Sequence, residues 1–293
     1  MEARGQIREP AGHEKPGRTG GGKRAMGKAM KIVVIGGTGL IGSKVVELLR
    51  EQGNEVIAAA PANGVNSVTG EGLAEALEGA QVVVDVSNSP SLDGREAMDF
   101  FQTAGRNIVE AEKAAGVSHH VALSVVGTDR LQDSGYFRAK LAQERQIETS
   151  PIPYTLVRAT QFFEFIRAIA QSGDRDGIIH LPPAKFQPMA ARDIAGFLAE
   201  AALAQPLNAL VEIGGPQQYR MNEIAERVLA FDNDPRPIVA DPNAPYFGLQ
   251  VDDRALVPGP DARLGQTSFD WWLENVPPPP RPEAVMPAVP VRA

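Results

Sequence analysis

Between residues 31 and 169 a short β-branched run gives way to a segment of helical period five times over. The runs are Lys31-Ile-Val-Val-Ile35, Glu55-Val-Ile-Ala58, Gln81-Val-Val-Val-Asp-Val86, Val121-Ala-Leu-Ser-Val125 and Tyr154-Thr-Leu-Val157. Their apolar residues are consecutive rather than alternate, which is the pattern of a strand covered on both faces. After the first run, Ile41, Val45, Leu48 and Leu49 fall at the i, i+4, i+7, i+8 spacing of one helix face. Further helices are predicted over 71–78, over 94–115 with Gly116 as the stop, over 134–148, and from Phe162 to Ile169. Strand alternating with helix demands parallel pairing through right-handed crossovers, so the chain is expected to be α/β with a doubly wound parallel sheet.

Beyond about residue 172 the rhythm loosens. Ile178-Ile-His180 and Phe186 to Met189 read as short strands, and Leu210-Val-Glu-Ile213 as another before a Gly-Gly-Pro break. Two apolar stripes predict helices: Ile194, Phe197, Leu198, Ala201 and Ala202, then Met221, Ile224, Ala225, Val228 and Leu229. A last short helix is expected from Phe269 to Val276, with Phe269, Trp271 and Trp272 as its apolar anchors. This predicts a first domain over 31–171 and a smaller C-terminal substrate lobe over 172–276, interleaved with it at the carboxyl edge of the sheet.

Charge and composition bound the function. Residues 1–31 carry eight Lys/Arg and three Glu, so the net charge of −7 becomes −12 once that +5 is set aside. Segment 1–30, basic and Gly-rich, is expected to be a disordered tail or a basic interaction arm. Residues 277–293, with Pro277 to Pro280, Pro282, Pro287 and Pro290, read as an extended Pro-rich tail. An acidic body gives no footing for nucleic acid, and no apolar run approaches the roughly 18 residues that would span a membrane. The first 30 residues lack the apolar core of a secretory signal, so a cytoplasmic chain is expected. Without Cys there is no disulfide, thiolate nucleophile or thiolate metal site, and four His give no zinc centre, so no metal is expected. His119 and His120 are adjacent in a strand and point to opposite faces, a poor geometry for one ion. They are read as structural or exposed.

Gly36-Gly-Thr-Gly39-Leu-Ile-Gly42 joins the first strand to the first helix. Gly36 allows a tight turn, Gly39 lets backbone approach a pyrophosphate, and Gly42 lets helix and strand pack closely. The helix N-terminus then faces the anion. Thr38 adds a hydroxyl donor, and Leu40 and Ile41 complete the loop. Ser87 and Asn88 follow the third strand at the same sheet edge and are candidate cofactor contacts. The second strand ends in Ala58-Ala-Ala-Pro-Ala62 with no acid to bind ribose hydroxyls, and Asn63, Asn66 and Ser67 could hold a 2′-phosphate. The expected cofactor is therefore NADP, with NAD as the alternative.

Tyr136-Phe-Arg-Ala-Lys140 sets a phenol and an ammonium at i, i+4 on one helix face. A phenol titrates near pH 10, and a neighbouring ammonium would lower that value. Tyr136 is thus a candidate catalytic acid/base, with Lys140 as its partner and as a hold on the cofactor ribose. Ser124, at the end of the preceding strand, could hydrogen-bond a substrate carbonyl.

These residues together resemble the short-chain dehydrogenase/reductase (SDR) superfamily in its atypical, NmrA-like branch. The resemblance rests on the Gly36–Gly42 loop, Asp85-Val-Ser-Asn88, Leu123-Ser-Val-Val-Gly127 with Tyr136 and Lys140, and Thr155-Leu-Val-Arg-Ala-Thr160. Arg192-Asp-Ile-Ala195 and Glu212-Ile-Gly-Gly-Pro216 extend it. It implies a Rossmann domain that binds NAD(P), a C-terminal substrate lobe, and Tyr136, Lys140 and Ser124 as the catalytic group. The chain departs from that pattern in having Thr69-Gly-Glu-Gly72 where many relatives carry an acid facing adenine, and a single Ser124 in place of a Ser-Ser pair. The expected activity is hydride transfer from NAD(P)H to a small carbonyl or quinone-like substrate. A non-catalytic NADP(H)-sensing regulator and a nucleotide-sugar epimerase are the alternatives. The sequence carries no signal for an oligomeric state.

Overall fold

The β-branched runs pair into a single sheet in the computed structural model, which describes residues 29–276; the expected tails lie outside them except for the last two residues of the first, where Met30 packs against the core and donates to Asn54 Oδ1. In chain order the first half contains β1 (Lys31–Ile35), α1 (Leu40–Glu51), β2 (Glu55–Ala59), α2 (Leu73–Leu77), β3 (Val82–Asp85), α3 (Gly94–Ala115), β4 (His119–Val125), α4 (Gly135–Glu148), β5 (Tyr154–Ala159) and α5 (Ile166–Ser172). The second half contains β6 (Asp174–Arg175), β7 (Ile178–Leu181), β8 (Lys185–Phe186), α6 (Ala191–Leu203), β9 (Ala209–Gly214), β10 (Tyr219–Arg220), α7 (Met221–Phe231), β11 (Ile238–Ala240), β12 (Arg263–Leu264) and α8 (Phe269–Asn275). Seven strands lie in the order β12-β9-β5-β4-β3-β1-β2, and all of their pairings are parallel. This is the doubly wound, Rossmann-type sheet that the alternating runs predict.

Both faces of the sheet are covered, which is why the strands could be apolar without alternation. Ile32 and Val34 pack under α1 and α6 with Val45, Leu49, Ile194 and Leu198. Val33 and Val83 face the other way, against Leu73, Leu77 and Ile108 of α2 and α3. The chain leaves β1 toward β2 on one side and returns to β3 on the other. A crevice opens at the carboxyl ends of strands where the order reverses in this way, so the loops after β1 and β3 frame it.

Local signals set the element ends. Asp93 caps α3 by accepting from the amides of Arg95 and Glu96, and Gly116 stops it at φ +72°. The helix predicted over 71–78 is shorter, because Gly70 and Gly72 sit at φ +81° and +71° and hold the chain in a turn until Leu73. The helix predicted from Phe162 begins instead with a 3-10 turn over Phe163–Phe165, and α5 follows. Of the strand expected from Phe186 to Met189 only Phe186 joins β8; Pro188 has no N–H to offer a ladder.

The expected lobe at 172–276 does not form one block. Its β9 and β12 complete the main sheet, since β9 pairs with β5 along Thr155 to Ala159, and its α6 packs on one face of that sheet. What remains apart is a three-stranded sheet β11-β7-β6 and a two-stranded ribbon β10-β8, packed with α5, α7 and α8 around Phe163, Ile169, Phe186, Ile224, Phe269 and Trp272. His119 and His120 are both buried on opposite faces: His119 Nε2 lies 2.9 Å from Thr155 Oγ1 and His120 Nδ1 lies 2.6 Å from Glu112 Oε1. Burial works against charge on His120, and the Glu112 carboxylate outweighs it and raises the imidazole. His120 therefore braces β4 against α3, while His119 ties β4 to β5. No helix among the described residues is long and apolar enough to cross a membrane.

Candidate active site

One cleft of about 1200 Å³ runs along the carboxyl edge of the sheet. Gly36, Thr38, Gly39, Leu40, Ile41, Gly42, Ser87, Asn88, Ser124, Tyr136 and Lys140 all line it, so the glycine loop and the three catalytic candidates are gathered in one place.

The glycine loop is built for close approach. Gly36 turns at φ +80°, and a Cβ on it would sit 3.0 Å from Ser87 N, so the loops after β1 and β3 touch there. A Cβ on Gly42 would run into the Gly36 carbonyl. Gly37, which sequence reasoning left without a role, is as constrained: its Cβ would lie 2.7 Å from the Cα of Ala58 on β2. Gly39 caps α1 without a side chain, and the first turn holds no acid. The amides of Leu40, Ile41 and Gly42 have no acceptor within the helix and line the cleft. Such a helix start fits a pyrophosphate through its free N–H groups and its dipole.

Ala60, Pro61, Val65, Asn66, Ser67 and Thr69 line the next stretch of the cleft. Asn66 Oδ1 already accepts from Val68 N and Thr69 N, and Asn63 lies outside the lining, its amide donating to the Ala58 carbonyl at 2.9 Å. Of the three side chains expected to hold a 2′-phosphate, Ser67 and the Asn66 amide nitrogen are those left facing the cleft.

The catalytic candidates lie where α3 and α4 begin. Gly94 and Gly135 cross so closely that a Cβ on Gly94 would stand 2.5 Å from the Cα of Gly135. This crossing brings Tyr136 against the loop after β3, and its hydroxyl donates to Asn88 Oδ1 at 2.8 Å. Burial pushes the Tyr136 phenol up to about 12, and the Asn88 contact only partly offsets that. The expected lowering by Lys140 does not occur, because the ammonium is engaged elsewhere. Lys140 Nζ donates to the Leu123 carbonyl at 3.0 Å and to Gln143 Oε1 at 2.5 Å, and lies 4.6 Å from the centre of the Phe101 ring. Burial pulls Lys140 down to about 8, against the pull of Asp85 and Glu144.

Ser124 belongs to a buried network that the sequence did not announce. Its hydroxyl donates to Glu144 Oε1 at 2.5 Å, and Arg158 donates to both Glu144 oxygens at 2.8 and 2.6 Å. The Ser124 proton is thus directed at Glu144 rather than at a substrate carbonyl. Glu144 lies four residues after Lys140 and eight after Tyr136, so the helical spacing already placed it on the face that carries them. Asp85 is a second unexpected member: it accepts from Ser87 N, Ser87 Oγ and Gln143 Nε2 at 2.9, 2.6 and 2.9 Å and so fixes the loop under the cleft.

Past Tyr136 the cleft turns aromatic, with Phe137, Phe162, Phe165, Tyr246 and Phe247 in its wall. The Phe162 and Phe165 rings stack 5.2 Å apart.

A family model described as NAD(P)H-binding matches residues 36–204. The NAD(P)H azoreductase of Xenophilus azovorans is 29% identical over 227 residues, which cover 71% of this chain and 76% of that one. The photosystem II assembly factor Ycf39 of Cyanophora paradoxa is 24% identical over 149 residues, 46% of either protein, so the chain matches about half the length of that relative. Among solved structures, a UDP-N-acetylglucosamine 4-epimerase from Bacillus cereus superposes with a TM-score of 0.59 at 21% identity over 73% of this chain and 85% of that one. An NADPH-dependent quinone oxidoreductase from Escherichia coli does so with a TM-score of 0.53 at 20% identity over 72% and 78%. At those identities the structures speak for the fold, while the family model covers the glycine loop and the candidate catalytic residues together. The chain belongs to the NAD(P)H-binding family.

Proposed function

We propose that the chain is an NAD(P)H-dependent reductase of small, planar, quinone-like substrates, with Tyr136 as the proton donor. The observation that carries this reading is the position of the Tyr136 phenol, between the glycine loop and the aromatic end of one continuous cleft. A phenol raised to about 12 is protonated throughout the working range, which suits an acid that gives a proton to a substrate oxygen. In the reverse direction it is a weak base, so reduction is the favoured sense. Bound NAD(P)H supplies the hydride; that chemistry is the cofactor's. The chain's own residues bind and orient. The α1 amides receive the pyrophosphate, Asn88 orients Tyr136, and Lys140 offers its remaining N–H to the cofactor ribose. The aromatic wall covers flat rings and excludes water. The activity carried in the azoreductase relative's name, reduction of a flat azo compound by NAD(P)H, is of the same kind.

Neither an acid nor a cation lines the 60–69 stretch, so the two dinucleotides are expected to differ in affinity by less than about tenfold, with the 2′-phosphate tolerated at Ser67. The reading is tested with Tyr136→Phe, which should bind NADPH as the parent does while NADPH oxidation by 1,4-naphthoquinone falls by about 10²-fold or more. Unchanged turnover in that variant would remove Tyr136 from the chemistry.

A further inference from the structure

The aromatic end of the cleft holds polar groups that nothing in the fold satisfies. Gln161 Oε1 and Thr160 Oγ1 are buried without a hydrogen-bond partner, and both residues line the cleft. Gln161 is 7% exposed and Thr160 fully buried. An unpaired buried acceptor is unfavourable, and a ligand or water at the site would complete it. Neither residue belongs to the Glu144 network or to the glycine loop.

Tyr246 joins them from the other half of the chain. It is 7% exposed, its phenol lies against the Gln161 side chain, and burial pushes that phenol up, so it keeps its proton. Its position is set by a tight two-residue turn. Tyr246 N donates to Leu249 O at 2.8 Å and Leu249 N donates to Tyr246 O at 3.0 Å. Phe247 and Gly248 between them sit at φ +46° and +83°. Glycine takes that conformation freely, whereas a bulky side chain is strained in it. The strained residue is the one whose ring lines the cleft, 43% exposed. Phe165, also in the lining, is 45% exposed and stacked on Phe162.

We propose that Gln161 and Tyr246 form a polar subsite for the far oxygen of a substrate ring whose near oxygen meets Tyr136, with Phe165 and Phe247 covering the ring. The substrate class is then a planar aromatic with oxygens on opposite sides, as in a para-quinone. The inference rests on the reductase reading above and narrows it. Two donors and acceptors of this kind suit both redox states of such a ring. The Tyr246 hydroxyl donates to the carbonyl oxygen of the quinone. Reduction adds one hydride from the dinucleotide and one proton, so each ring oxygen leaves as a hydroxyl, and the far hydroxyl donates to Gln161 Oε1.

The test measures binding of 1,4-naphthoquinone, and of naphthalene as the same ring without oxygens, to the full chain loaded with NADP⁺. Equilibrium dialysis reads each affinity for the parent, Gln161→Leu and Tyr246→Phe. The parent should hold the quinone at least tenfold tighter than naphthalene. Each variant should lose about tenfold for the quinone, what one hydrogen bond in a water-excluded site supplies, and nothing for naphthalene or NADP⁺. If Gln161→Leu fails to fold, the near-isosteric Tyr246→Phe decides alone. Unaltered quinone affinity in the variants, no quinone binding by the parent, or a parallel loss of NADP⁺ affinity would overturn the subsite. The reductase reading fails separately, if quinone binds the parent but NADPH is not oxidised.

Discussion

Lys140 is a cation held almost wholly out of water. It is 2% exposed, and burial pulls its ammonium down to about 8, with Asp85 at the end of β3 and Glu144 one turn along α4 resisting. An amine whose folded value lies below its ordinary 10.5 destabilises the fold while both states are protonated, below pH 8. That penalty fades as pH rises from about 8 toward 10.5, where the folded state holds fewer protons than the unfolded one. Unfolding free energy should therefore climb across that window relative to Lys140→Met, as urea titrations at several pH values would read. Cofactor binding should move the opposite way. Above pH 8 the ammonium is lost, so NADPH affinity should fall by up to about tenfold per pH unit in the parent and stay flat in Lys140→Met. Tyr136, raised to about 12, titrates too high to produce that limb.

The crossing of α3 and α4 governs the site at the scale of elements. Gly94 and Gly135 meet backbone to backbone, and the Tyr136 to Asn88 bond depends on that approach. Gly135→Ala should force the helix starts apart, cost about 1–3 kcal/mol, and lower turnover more than NADPH affinity; thermal melts and steady-state kinetics would separate the two effects. The same elements mark what could be read from the sequence. Helix α3 came out residue for residue over 94–115, because Asp93 and Gly116 are local signals that act within a turn of the chain. The glycine loop and the Tyr136/Lys140 pair were legible for the same reason, being set by spacing within one loop and one helix. The glycine crossing joins positions about forty residues apart, and Gln161 meets Tyr246 across half the fold. Nothing local in either partner records the other. The direction of the Tyr136 shift is hidden on the same ground: helical spacing puts Lys140 on its face, but burial in the fold raises the phenol, and the carbonyl of Leu123 on β4 and Gln143 decide where the ammonium points.

At the scale of the molecule, the end of the described chain fastens the lobe to the sheet. Trp272 is 2% exposed, lies 5.4 Å from the Phe163 ring, and donates through Nε1 to Glu164 at 3.1 Å. Glu164 also accepts from the Ala191 amide at the head of α6. Asp193, in the first turn of α6, accepts from Gln266 N, Thr267 N and Thr267 Oγ1 just ahead of α8. Trp272→Ala should cost about 3–5 kcal/mol in chemical denaturation, since it empties an aromatic cluster and leaves Glu164 without its indole partner.

The two outermost strands of the sheet on that side, β9 and β12, come from residues 209–214 and 263–264. During synthesis the edge of β5 therefore waits for some fifty further residues before β9 can cover it, and for about a hundred before β12 closes the row. Parallel pairing across such separations is slow, because loop closure is opposed by entropy before any contact rewards it. In that interval Leu156 and Val157, which end up 0% and 2% exposed, stand along a bare strand edge. The stretch of chain that runs between these late strands also carries Tyr246, so the aromatic end of the cleft is finished only when the sheet is.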